Sequence, residues 1–134
     1  MKRLIIFRIL MALYIITVAY LLFCNGDSVP SLPKEIWGIP GDKAAHFLLF
    51  LPFPALVLLC REKIPSGFID RTAVMTVIFL AGCGLAGLTE LIQDFLPTRA
   101  AEWDDYKADV TATFLCSAIT YFTLLGIPSK KHKK

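Results

Sequence analysis

Apolar positions fall into four runs along the chain, and the polar positions between them are sorted by sign. The first run covers residues 4–23 behind Lys2 and Arg3. It has about the twenty residues needed to cross about 30 Å of hydrocarbon at 1.5 Å per residue, which predicts a retained transmembrane helix. A cleaved signal peptide would have a shorter apolar stretch ending in small residues, and Phe23 occupies the position before Cys24 where a lipoprotein cleavage site needs a small side chain. Arg8, one turn inside, can snorkel back toward Lys2 and Arg3. Residues 25–42 read as a loop, with a turn signal at Asn25, Gly26 and Asp27 and with Pro30, Pro33 and Pro40 excluding a long helix. Trp37 in this loop suits an anchor at the membrane–water interface.

The second run, residues 44–60, contains Pro52 and Pro54, each removing a backbone donor, so a kinked or broken helix is expected. The third is predicted as a helix over residues 71–94. Its Gly82, Gly84, Ala86 and Gly87 mark it as the central helix, because small side chains let neighbouring backbones approach in lipid. The literal GxGxxG at Gly82, Gly84 and Gly87 has no preceding strand and is no nucleotide-binding fingerprint. The fourth helix is predicted over residues 105–126, with Thr111, Thr113, Ser117 and Thr120 available to bond across to a neighbour. Residues 128–134 form a basic tail that includes His132.

Composition agrees with this division. Of 134 residues, 56% are hydrophobic and 19% charged, and the mean hydropathy is +0.63, which points to one membrane domain over 1–134. The net charge of +3 is uninformative until the charges are placed, and nucleic acid is not an expected partner. Cys24, Cys60, Cys83 and Cys116 stand singly beside apolar runs and read as buried, reduced thiols. With a cytoplasmic N-terminus and four crossings, the inner segments hold Lys2, Arg3, Arg8, Arg61, Lys63, Arg71, Lys130, Lys131, Lys133 and Lys134. That is ten of the fourteen basic residues, and the outer segments hold nine of the eleven acids. The positive-inside rule therefore predicts an all-α integral membrane bundle of four transmembrane helices with both termini in the cytoplasm, a multi-pass protein of the bacterial plasma membrane whose first partners are membrane lipids.

The chemistry lies at the outer end. His46 is four residues inside Asp42, Glu90 four inside Asp94, and Asp109 four inside Asp105, so all three sit roughly 6 Å below the rim. An ionisable group in an apolar helix is a functional candidate by default. Each also has a plainer role: His46 as a hydrogen-bonded interior histidine, Glu90 as a docking residue paired with Lys43 or Arg99, Asp105 as a helix cap, and Asp94, Glu102 and Asp104 as solvated rim charges. Their shared depth on three separate segments is more than docking requires. His46, Glu90 and Asp109 are thus the candidate catalytic residues. Asp42, Lys43, Gln93, Arg99 and Asp105 are the candidate binding residues around them.

Asp42, Lys43, His46 and Phe47, then Gly87, Glu90, Gln93, Pro97 and Arg99, then Trp103, Asp105, Ala108 and Asp109 resemble the signature of the VanZ-like family of bacterial membrane proteins. Three blocks in order carry the resemblance: DKxxH opening one helix, GxxxExxQ closing the next, and an acidic block opening the last. It covers about residues 42–125, with Ala112 and Cys116 where the family usually has glycines. The family's namesake is a glycopeptide-resistance accessory protein linked to reduced teicoplanin sensitivity, so the resemblance implies a cell-envelope role.

Two classes of function follow. One is an envelope protein that holds a lipid-linked or cell-wall ligand in an outer-leaflet polar pocket, with Arg99 and Lys43 on its phosphate or carboxylate. The other is an intramembrane enzyme in which His46, Glu90 and Asp109 act as acid and base or hold a metal. No cofactor motif is present and none is expected beyond a divalent ion here, for which one histidine among carboxylates suits Mg²⁺ or Mn²⁺ better than a closed zinc site. No GxSxG, HExxH or P-loop pattern nominates another chemistry. A proton-coupled transporter is a weaker third class, since four helices without a clear repeat lack an alternating-access design.

Overall fold

The computed structural model describes residues 2–24 and 33–125. The turn signal at Asn25–Asp27, Pro30, the expected helix end at Gly126 and the basic tail with His132 lie outside them. The described chain runs as helix α1 (Lys2–Phe23), strands β1 (Glu35–Ile36) and β2 (Ile39–Pro40), then helices α2 (Gly41–Phe50), α3 (Phe53–Leu59), α4 (Phe68–Asp94) and α5 (Trp103–Leu125). Among the described residues, three helical stretches are long and apolar enough to cross a membrane: Lys2–Phe23, Gly41–Leu59 and Phe68–Asp94.

The break between α2 and α3 falls at Pro52, as the missing amides of Pro52 and Pro54 require. Leu51 and Pro52 keep right-handed helical angles, so the two pieces continue as one rod. Tyr14 of α1 donates to the carbonyl of Leu49 at 2.6 Å, just before this weakened turn. The all-α expectation needs one amendment, because the segment before α2 contains a two-residue antiparallel hairpin pairing Glu35 with Pro40 and Ile36 with Ile39. Its turn places Trp37 at φ 55° and Gly38 at φ 79°. Positive φ at both central positions is the turn that matches strand twist, and Gly38 supplies one of them without steric cost. Trp37 at the tip is fully exposed.

Packing agrees with the choice of central helix. α4 lies against α1, α3 and α5 and so touches each of the other spans, whereas α5 lies against α4 and the α2–α3 rod. The glycines of α4 serve that arrangement at one point: a Cβ at Gly82 would run into the Thr113 methyl of α5 and come within 3.3 Å of the Phe53 ring of α3. Gly84 has nothing within 4 Å. One apolar cluster, with Val18, Leu22, Phe50, Ala86 and Ala112, fills the half of the bundle nearest the C-terminal end of α1. A second, with Leu58, Met75, Ile78 and Leu124, fills the other half.

α1 buries only Val18 and Leu22 and leaves Ile5, Ile6, Ile9, Leu13 and Ile16 more than half exposed. A helix apolar on every side with so little protein around it is built to face lipid. α4 continues the belt with Val77, Leu80, Leu88 and Leu91, and α5 with Phe114, Ile119 and Phe122. The charges segregate by end. Arg8 meets Glu62 at 3.7 Å and Cys60 donates to the Phe7 carbonyl, so the 60–67 loop and the start of α1 share one end. The start of α2, the end of α4 and the start of α5 share the other.

Gly82→Ala should lower the thermal stability of the detergent-solubilised protein by the roughly 1–3 kcal/mol typical of overpacking. Gly84→Ala should leave it unchanged. Equal melting temperatures for the two variants in a thermal scan would show that α4 does not cross α5 at Gly82.

Candidate functional site

The last turn of α4 delivers Glu90, the first turns of α5 deliver Asp105 and Asp109, and α2 delivers Asp42, Lys43 and His46. His46 Nδ1 lies 3.2 Å and 3.3 Å from the two carboxylate oxygens of Asp109 and 3.8 Å from Glu90 Oε1. Its other nitrogen, Nε2, lies 3.7 Å from Asp105 Oδ2. All four residues are buried, and Asp109 has no exposed surface at all. The three residues expected at one depth therefore meet.

Asp109 is fixed from below by helix geometry, since Thr113 one turn on donates to the Asp109 carbonyl at 2.8 Å. Glu90 is fixed from above. Its Oε2 accepts the backbone N–H of Glu102 at 2.9 Å. Glu102 is also the residue whose carbonyl accepts the first amides of α5, from Asp105 and Tyr106. It thus stands at the N-cap, and a carboxylate of α4 satisfies an amide that a capping side chain within α5 would otherwise reach. The negative charge of Glu90 also lies at the positive end of the α5 dipole. Glu90 does not pair with Lys43 or Arg99, as its docking role would have had it.

Above this layer Lys43 Nζ donates to Asp105 Oδ1 at 2.7 Å, Glu102 Oε2 at 2.7 Å and Asp42 Oδ2 at 2.9 Å. Glu102 was expected as a solvated rim charge; its side chain is half exposed, yet it closes this network through both carboxylate and amide. Asp105 joins the two layers, with one oxygen toward Lys43 and the other toward His46. It accepts from the lysine and faces the histidine, which a plain helix cap would not do. Asp104 pairs with Lys107 at the exposed rim and Asp94 is exposed, as expected.

Gln93 and Arg99 have a different task. Gln93 Nε2 donates to the Leu22 carbonyl at 3.2 Å, and Arg99 Nη2 donates to the carbonyls of Leu21 and Cys24 at 3.3 Å and 3.4 Å. The last carbonyls of a helix lack partners of their own, and a cation complements the negative end of its dipole. α1 has no basic residue in its last turn, so these two side chains cap it from across the bundle. Nothing in the spacing of Gln93 and Arg99 indicates that they would serve α1.

Among the described residues, two groups of acidic and histidine ligand atoms are close enough to share an ion: His46, Glu90 and Asp109, and Asp42, Glu102 and Asp105. The second already encloses a cation, because Lys43 Nζ lies within 2.9 Å of an oxygen from each member. Comparison with protein-family models, with curated proteins and with solved structures gives no match for this chain.

Lys43→Met should destabilise the protein toward the lower end of the about 3–5 kcal/mol typical of orphaning a buried charge. Adding Asp105→Asn should recover part of that loss. Unfolding of the two single variants and the double variant in mild detergent measures the coupling, and strictly additive losses would mean that the pair contributes nothing to this end of the bundle.

Proposed function

We propose that the chain is a VanZ-like protein of the bacterial plasma membrane, crossing it four times with both termini in the cytoplasm. In this proposal the His46–Glu90–Asp109 centre works at the outer leaflet in envelope homeostasis, and tolerance to teicoplanin-type glycopeptides is its outward effect. The carrying observation is the meeting of three buried ionisable side chains from three separate helices, with buried Asp105 beside them. Such groups are costly in lipid surroundings and mark sites of binding or chemistry. α5 is proposed as the fourth crossing on its 23-residue length and the exposed Phe114, Ile119 and Phe122. The orientation is supported by charge: the inner segments sum to about +8 and the outer ones to about −5, counted from the sequence.

Acid–base action on a lipid-linked substrate is favoured over electrostatic capture of an anionic ligand. Lys43 is enclosed by three carboxylates, and Arg99 turns Nη2 to the carbonyls of α1, leaving its buried Nε without a partner. What faces the buried layer is an imidazole between carboxylates, a group able to give and take a proton.

A C-terminal reporter that is active only in the periplasm should be silent, and one active only in the cytoplasm should work; the reverse pattern refutes the topology. Expression in a glycopeptide-sensitive strain should raise tolerance, and Glu90→Gln should abolish the gain while the variant still accumulates in the membrane. That substitution keeps size and hydrogen bonding but removes the charge a base needs. Persistence of tolerance in Glu90→Gln, with loss in Arg99→Ala, would favour anion capture instead. A wild-type protein that alters neither susceptibility nor lipid or wall composition would end the envelope proposal.

A further inference from the structure

Glu90 Oε1 is buried and has no hydrogen-bond partner, although its sister oxygen is held by the Glu102 amide. The Glu90 side chain is 9% exposed and turns this bare oxygen toward His46 Nδ1. Asp109, wholly buried, places both of its oxygens against the same nitrogen. A single imidazole nitrogen carries at most one proton, so it cannot satisfy Asp109 and Glu90 together. With neutral His46 the two carboxylates leave two negative charges inside the bundle, and burying unpaired charge is among the costliest arrangements available to a protein.

We infer that His46 Nδ1, Glu90 Oε1 and Asp109 bind one divalent transition-metal ion of the Mn²⁺ or Zn²⁺ kind. The ion neutralises the pair of carboxylates and gives the bare oxygen a partner. The distances suit it. Ligand atoms about 2.1 Å from a shared ion are about 3.0 Å apart at a right angle and about 3.4 Å apart in a tetrahedron. The observed separations from Nδ1 are 3.2 Å to Asp109 and 3.8 Å to Glu90, and one ligand atom from each of the three residues lies within 4.8 Å of the other two. An imidazole nitrogen in the set favours Mn²⁺ over Mg²⁺, which prefers oxygen and retains its water. Three protein ligands also admit Zn²⁺ in an open site, unlike the closed zinc site that the residue types argue against.

The surroundings have the form of a metal site's outer shell. A ligating histidine commonly donates its second N–H to a carboxylate, which fixes the ring and strengthens its bond to the metal. Nε2 faces Asp105 Oδ2 at 3.7 Å, and Asp105 is itself held by Lys43 at 2.7 Å. The Glu102 amide likewise fixes Glu90 so that one oxygen is left for the ion. The neighbouring Asp42, Glu102 and Asp105 group does not qualify, because Lys43 fills its centre.

The inference rests on the centre used in the proposed function, where the bound ion would make His46 a ligand in place of a proton carrier. It needs neither the orientation nor the phenotype of that proposal, so either can fail alone. The full chain is purified in mild detergent, stripped with a chelator, and exposed to Zn²⁺ alone or Mn²⁺ alone with excess Mg²⁺. After gel filtration about one equivalent of metal per chain should remain, and Zn²⁺ should raise the melting temperature. Glu90→Gln and Asp109→Asn should retain at least tenfold less metal and lose the thermal shift, whereas Asp94→Asn, at an exposed position, should match the wild type. Should either site variant elute as aggregate, Co²⁺ loading of the wild type decides: d–d absorption without a thiolate charge-transfer band supports nitrogen and oxygen ligands. A thiolate band, wild-type retention in the site variants, or less than a tenth of an equivalent in the wild type would overturn the site.

Discussion

Asp109 is a carboxylate with no exposed surface, in a bundle whose interior holds two apolar clusters and several other buried polar side chains. Everything at that end of the molecule is arranged so that its charge has company. His46 is brought against it from α2, Glu90 approaches from α4, and Asp105 links the buried layer to Lys43 at the mouth. The α2–α5 and α4–α5 contacts cannot slide by a turn without separating these groups. Register and charge placement are therefore one constraint, as expected where each buried polar group needs a particular partner.

The same economy appears at the end of α1. Lipid offers no hydrogen bonds to free carbonyls, and α1, which packs weakly, has no basic residue in its last turn. Gln93 and Arg99 supply the donors and tie this otherwise lipid-facing helix to the segments that carry the site. Glu90 does the converse at the start of α5, accepting an amide at the helix N-terminus. Two helix ends and one polar centre thus lie at the same end of the bundle, each held by side chains from another segment.

Much of this was readable from residue order. Four apolar runs, the break at Pro52, and the common depth of His46, Glu90 and Asp109 follow from a rise of 1.5 Å per residue and the cost of exposing polar groups to lipid. The helix starts were harder to place: α4 begins at Phe68 and α5 at Trp103, a little before the first residues expected, because amphipathic and aromatic residues at a membrane boundary carry no sharp period. α4 is the hub that its small residues suggest, yet not every glycine in it serves that role. Gly82 does admit Thr113 and Phe53, but Gly84 faces open space, and composition cannot tell an approached glycine from an exposed one.

The sequence by itself determined which segments are apolar, which end carries the acids, and which ionisable groups lie inside the helices, since these depend only on residue type and distance along the chain. Partner choice belonged to the tertiary structure. Whether Arg99 met Glu90 or the carbonyls of α1, whether Lys43 stood free or was enclosed by Asp42, Glu102 and Asp105, and that a main-chain amide would hold Glu90 depended on how the helices rotate and where the 95–102 connection runs. Hydrogen bonds and ion pairs are short-ranged and directional, so a rotation of one helix changes every partner while leaving depth and hydropathy untouched.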